Sequence, residues 1–275
     1  MSNDNIKGNT AFHTDQCIVV DKKVTMSRRG FVQAAAAGSI VVLTEGCDTV
    51  SQAFTPSPEQ MAQLATGAWS DLKKAEQLSN DPAYTSRVDR VAPGIIRAAG
   101  GTPSEWEVQV FASKDLNAFA LPGGKIGFYT GILDLMDNDD QIAAVMGHEV
   151  AHVNFNHSGQ RYGRTAATSA GLQVAQVALG SGQTGQVAAQ ALGLGAQYGV
   201  ILPFSRQHEL EADRYGLRYM NKAGYEMDEA VRFWQKMSAQ KSGAQPEFMS
   251  THPSDDTRIT QLQNEIQLLR TGATS

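Results

Sequence analysis

The stretch QIAAVMGHEVAHVNF, residues 141–155, constrains the fold more than any other part of the chain. Ile142, Val145, Met146, Val150 and Val153 recur at helical spacing and form one apolar stripe. His148 and His152 share the flank of that stripe, one turn apart. The sequence therefore predicts a half-buried helix that presents two imidazoles at the edge of a core. Asp137, Asn138, Asp139 and Asp140 place acidic and capping residues where its N-terminus wants them.

The segments around it supply the rest of the core. From Pro58 to about Ala99 the pattern is helical, with a second helix starting after Asn80-Asp81-Pro82, because proline suits a first turn. The period then changes. WEVQVFAS from Trp106 alternates apolar and polar residues, and NAFALPGGKIGFYTGIL from Asn117 has two short runs joined by Pro122-Gly123-Gly124, which together predict a small antiparallel sheet with a hairpin. Thr165 to Ser205 carries no charge between Arg164 and Arg206, and its regularly placed glutamines and glycines favour a buried or partly mobile helical hairpin over a bilayer-touching one. Ser205 caps a new helix that stops near Gly224, another covers Met227 to Ala239, and an amphipathic helix ends the chain. No internal repeat is present.

The first 50 residues differ from the remainder. Ser27-Arg28-Arg29-Gly30 precedes the uncharged run Phe31 to Thr44, which is too short to span a bilayer and describes an export signal of the twin-arginine kind. The expected organisation is an over-long or disordered start at 1–25, a signal with a candidate lipobox at 26–47, a linker at 48–57, one domain at 58–270 and a tail at 271–275. Cys47, after Thr44-Glu45-Gly46, is the candidate lipidation site, and Ser51-Gln52-Ala53 is the competing cleavage site. The expected location is the periplasm or cell envelope, with the membrane as a partner through a lipid anchor. Cys17 and Cys47 are the only cysteines, so the mature domain cannot rely on disulfides. A net charge of −5 gives no basic surplus for nucleic acid, which is excluded as a partner.

His148-Glu149-x-x-His152 matches the H-E-x-x-H zinc signature. Positions i and i+4 let both rings reach one ion, and Glu149, roughly 60 to 100 degrees round the helix, can sit beside a water on that ion. A catalytic zinc takes a third protein ligand. The metzincin extension would need glycine at 155 and histidine at 158, where the chain has Phe155 and Ser158. His157 is one residue out and reads as an exposed polar residue. The better candidate is Glu209, because Glu209 and Asp213 are again i and i+4 on a helix. One carboxylate can bind the metal while the other orients a ligating imidazole, an arrangement that resembles the gluzincins. Glu211 and His208 then read as surface groups.

The segments NAFALPGGKIGFYTGIL, GHEVAH, SRQHELEAD and THPSDDTRI, in that order, resemble the HtpX-like and CAAX-prenyl-protease-like zinc metalloproteases, metallopeptidase family forty-eight, from about Pro58 to Leu269. The resemblance implies an α+β fold, a mainly helical zincin-like metalloprotease domain with a small antiparallel sheet and hairpin beside the active-site helix. It implies one zinc per chain held by His148, His152 and Glu209, with Glu149 as general base and Asp213 behind the ligands. It also implies that the strand containing Asn117, Ala118, Phe119 and Ala120 is an edge to which substrate peptide adds. His252 falls where the family often has a histidine that stabilises the oxyanion or blocks the metal; its other reading is a turn residue before Pro253. Unlike integral-membrane members, this chain has no transmembrane helix pattern, which fits an exported soluble-domain branch. The expected activity is zinc-dependent endopeptidase action on unfolded or misassembled envelope proteins. Two rivals are a zinc-stabilised, non-proteolytic chaperone or assembly factor and a gated protease with one native partner.

Overall fold

The structure is a computed structural model that describes residues 51–179, 204–240, 246–252 and 256–272. The expected signal segment with Cys47, residues 180–203 of the uncharged stretch and residues 253–255 lie outside the described residues. The first two helices open on side-chain caps. Helix α1, Pro58–Ala75, opens on a capping box in which Ser57 and Gln60 satisfy each other's backbone amides. Helix α2, Pro82–Ala98, is capped by the Asp81 side chain on the Ala83 amide.

Strands β1 (Glu107–Phe111), β2 (Ala118–Leu121) and β3 (Lys125–Tyr129) form one sheet in the order β1-β3-β2. The hairpin is present, with Ala120 opposite Ile126 and Phe119 opposite Gly127 in antiparallel register. The sheet as a whole is mixed, not antiparallel, because β1 joins the far side of β3 in parallel, with Gln109 opposite Gly127. Alternation within β1 reports its two faces but carries no information on strand direction, so the parallel pairing was hidden. Central placement of β3 leaves β2 at an edge. Its Phe119 ring lies across Gly127, where a Cβ would sit 2.4 Å from Phe119 Cζ, and joins an aromatic cluster with Trp69, Phe111 and Tyr129 under α1.

Helix α3, Thr130–Leu135, leads into α4, Asp139–Asn154, whose N-cap Asn138 accepts from the Gln141 amide. Every residue of α4 from Gln141 to His152 is buried, so the helix is central where its stripe predicted a half-buried one. It is enclosed by α2, by β2, by α6 (Arg206–Ala223) and by α7 (Asp228–Ala239). The crossing of α4 with α6 is made by glycines. A Cβ on Gly147 would lie 3.0 Å from the Gly216 carbonyl, and one on Gly216 would lie 2.9 Å from the His148 amide nitrogen. Two bare backbones can approach where two side chains could not. Helix α6 is capped by Ser205 and ends at Gly224 in the left-handed region, φ 82°. The other helices include α5 (His157–Leu179), the short α8 (Glu247–Thr251) and α9 (Asp256–Thr271).

Candidate metal centre

The Gly147–Gly216 crossing sets His148 of α4 against Asp213 and Glu209 of α6. His148 Nδ1 lies 2.9 Å from Asp213 Oδ1. An ionised carboxylate only accepts, so Nδ1 of His148 keeps a proton and Nε2 is the nitrogen whose lone pair a cation can take. That Nε2 is 3.0 Å from His152 Nε2 and 3.4 Å from Glu209 Oε2, while His152 Nε2 is 3.5 Å from Glu209 Oε1. Ligand atoms at about 2.0–2.1 Å from a tetrahedral zinc are about 3.3–3.4 Å apart, so this set has the right size and donor type for that ion.

His252 completes the set. Its Nδ1 is 3.3 Å from His148 Nε2 and 3.1 Å from Glu209 Oε1, and the four groups offer ligand atoms that all lie within 4.8 Å of one another. The ring stands between Phe204 and Phe248, with centroids 5.1 and 4.7 Å away, and is buried. The turn-residue reading of His252 accounts for its backbone but not for this placement.

Asp213 is anchored in turn. Arg258 of α9, fully buried, donates through Nε to Asp213 Oδ2 and through Nη2 to Oδ1, both at 2.7 Å, and its Nη1 is 2.8 Å from Glu209 Oε2. The guanidinium also lies over Trp234, 4.1 Å from the ring centroid. Burial alone would raise the pKa of Glu209 and Asp213. At Glu209 His252 and Arg258, and at Asp213 Arg258, outweigh it and hold both carboxyls below their ordinary range. Burial opposes a charge on His148, yet Asp213 and Glu209 raise its pKa to about 9, so a cation competes with a proton for this site. Burial lowers His152 well below the usual histidine range. Sequence reasoning did not single out Arg258; a lone arginine in an amphipathic helix reads as surface.

Glu149 stands on the other side of the cluster. Its Oε2 accepts from the Ala120 amide of β2 at 2.9 Å, and its Oε1 accepts no hydrogen bond among the described residues and lies 3.4 Å from His252 Nε2. Burial pushes its carboxyl upward. The bond from Ala120 shows which way β2 faces: alternation in an antiparallel pair turns the N–H and C=O of Ala118 and Ala120 away from β3. Asn117 and Ala118 are buried, whereas Phe119 to Leu121 are partly exposed.

Two surface assignments, His157 and His208, are corrected, while Glu211 keeps an exposed side chain. His157 is buried and close to His152, with 2.9 Å between their Nδ1 atoms; His208 is buried and stacked on His157; and Glu211, partly exposed, meets His157 Nε2 at 2.9 Å. The cause is local. Helix α4 ends at Asn154, and Asn156 takes a left-handed φ of 51°, so the chain folds back and α5 starts at His157 beneath His152. Extending α4 in register past Phe155 pointed His157 the wrong way.

Residues 82–266 match the model of peptidase family M48. The mitochondrial metalloendopeptidase OMA1 of Schizosaccharomyces pombe is 36% identical over 187 residues, covering 66% of this chain and 54% of that protein. The beta-barrel assembly-enhancing protease of Escherichia coli (strain K12) is 25% identical over 244 residues, 80% of this chain and 50% of that protein. The metalloprotease LoiP of the same organism is 27% identical over 226 residues, 82% of this chain and 87% of that protein. The chain thus spans about half the length of the first two relatives. With the H-E-x-x-H helix, the Glu209 carboxylate and the matched region together, the chain belongs to peptidase family M48.

Proposed function

We propose that the chain is an exported zinc-dependent endopeptidase that hydrolyses peptide bonds in unfolded or misassembled envelope proteins. The observation that carries the reading is the position of Glu149. It lies between a ligand cluster sized for zinc and the outward-facing amide of an edge strand, with one carboxylate oxygen that accepts no hydrogen bond among the described residues. A zinc-stabilised chaperone needs the ligands but not a carboxylate in that place.

His148, His152 and Glu209 would hold the metal. Zinc, when bound, lowers the pKa of a water and polarises a peptide carbonyl. Glu149 Oε1 takes the proton of the attacking water and hands it to the leaving amine. Burial, which raises the proton affinity of Glu149, suits a group that must carry that proton in turn. Asp213, fixed by Arg258, holds the His148 ring in one tautomer. The β2 edge pairs with extended substrate backbone, and the Ala120 amide leaves Glu149 for the peptide as it binds. Recognition by main-chain groups reads little side-chain identity, which suits clearance of unfolded chains.

The placement of His252 favours a gated form of this enzyme. Its Nδ1 fills the remaining corner of the ligand set, so the ring must withdraw before a water and a peptide can enter. Export and anchoring through Cys47 belong to the same proposal, supported by the arginine pair and apolar run of the signal segment. Casein hydrolysis by the zinc-loaded chain beside Glu149→Gln tests the reading. Cleavage by the wild type alone supports it, and equal cleavage by both removes Glu149 as the base.

A further inference from the structure

His157 and Glu211 have no part in the chemistry above, yet they occupy a place that a metal ligand depends on. His152 has two ring nitrogens. Nε2 belongs to the ligand cluster, and Nδ1 lies 2.9 Å from Nδ1 of His157. Two imidazole nitrogens at that distance share one proton, so one ring donates and the other accepts.

Glu211 decides which. Its Oε2 is 2.9 Å from His157 Nε2, and a carboxylate only accepts, so the His157 proton sits on Nε2. His157 Nδ1 then offers a lone pair, and His152 must donate to it from Nδ1. That leaves the His152 lone pair on Nε2, pointing into the cluster. The reverse arrangement would put a proton on His152 Nε2 and cost the site a ligand.

The surroundings hold this order in place. His157 is fully buried, so no bulk water replaces it. His208 stacks on its ring at 4.3 Å and 14°, and Phe155 at 5.9 Å and 26°. His208 is itself fixed by a 3.2 Å contact between its Nε2 and Gln160 Oε1. His152, His157 and Glu211 come from the end of α4, the start of α5 and the face of α6 that carries His208, with α4 and α5 joined by the left-handed turn at Asn156.

We infer that His157 and Glu211 are positioning residues, a relay that fixes the tautomer and the ring of His152 and strengthens it as a ligand. His148 is served directly by Asp213, and His152 by an imidazole with a carboxylate behind it. This rests on the reading of His152 as a zinc ligand. Partners of this kind are worth about 10- to 100-fold in metal affinity.

The test is the zinc dissociation constant of the full chain, measured by competition with a chromogenic chelator, beside the melting temperature of each metal-free protein. His157→Ala should weaken zinc about 10- to 100-fold. His157→Gln, whose amide oxygen can still accept from His152, should recover most of that loss. Glu211→Ala changes a side chain that is 43% exposed, so its metal-free melting temperature should hold while zinc weakens several-fold; Glu211→Gln should stay near wild type. Wild-type affinity in Glu211→Ala and in folded His157 variants overturns the relay. So does a lower metal-free melting temperature with unchanged affinity, the signature of packing alone. His152→Ala separates the two levels of the argument: if it keeps wild-type affinity the ligand reading itself fails, and if it alone loses zinc only the relay fails.

Discussion

Gly216 meets His148 backbone to backbone, and a Cβ on that glycine would lie 2.9 Å from the His148 amide nitrogen. Alanine there gains about 1 kcal/mol of helix propensity. It also forces α4 and α6 apart, at about 1–3 kcal/mol, because backbone cannot swing aside as a side-chain tip can. Gly216→Ala should therefore lower the melting temperature and weaken zinc. Gly67→Ala on α1, where among the described residues no atom outside the local helix backbone lies within 4 Å of the added Cβ, should leave stability equal or higher. Thermal melts of the two variants check the contrast.

Arg258 neutralises two carboxylates that have almost no exposure. Removing a single partner from such a group leaves charge buried and uncompensated, at about 3–5 kcal/mol. Arg258→Ala should shift the urea midpoint strongly downward. Asp213→Asn in the same background should restore part of the loss, because it removes one of the stranded charges. No restoration would mean that the cost lies in packing against Trp234.

The caps of α4 and α6 were legible because each depends on residues three apart: Asn138 with Gln141, and Ser205 with His208. The two histidines, Glu149 and the Glu209–Asp213 pair were legible for the same reason, since helical spacing alone puts each pair on one face. What was not legible is non-local or depends on one dihedral angle. Arg258 meets Asp213 across 45 residues, β1 chooses the far side of β3, and the φ of Asn156 turns His157 inward.

Acid should loosen the fold through two glutamates far from the metal centre. Burial pushes Glu229 and Glu107 upward, but Gln141, Asn138 and Arg232 at the first and Lys73 at the second outweigh it and hold both below the ordinary 4.5. A depressed carboxyl adds stability above its unfolded pKa and loses it as pH falls through the folded value. The urea midpoint should therefore fall between about pH 5 and pH 3. In Glu229→Gln that slope should be shallower, and an unchanged slope would exclude Glu229 as a contributor.

His252 should act as a brake. Its ring fills the corner of the ligand set that a water and a substrate carbonyl need. His252→Ala should raise the initial rate of casein hydrolysis while zinc content holds, since His148, His152 and Glu209 remain. A fall in rate at full zinc content would instead assign His252 to stabilising the oxyanion.

Zinc content per chain, measured by mass spectrometry of the metal after dialysis, tests the central claim most directly. Wild type and Glu149→Gln should each hold about one equivalent, as expected of a four-coordinate site with three protein ligands. Glu209→Ala should hold almost none. Full zinc in Glu209→Ala would contradict the account, because the carboxylate placed between the two histidines would then not be the third ligand.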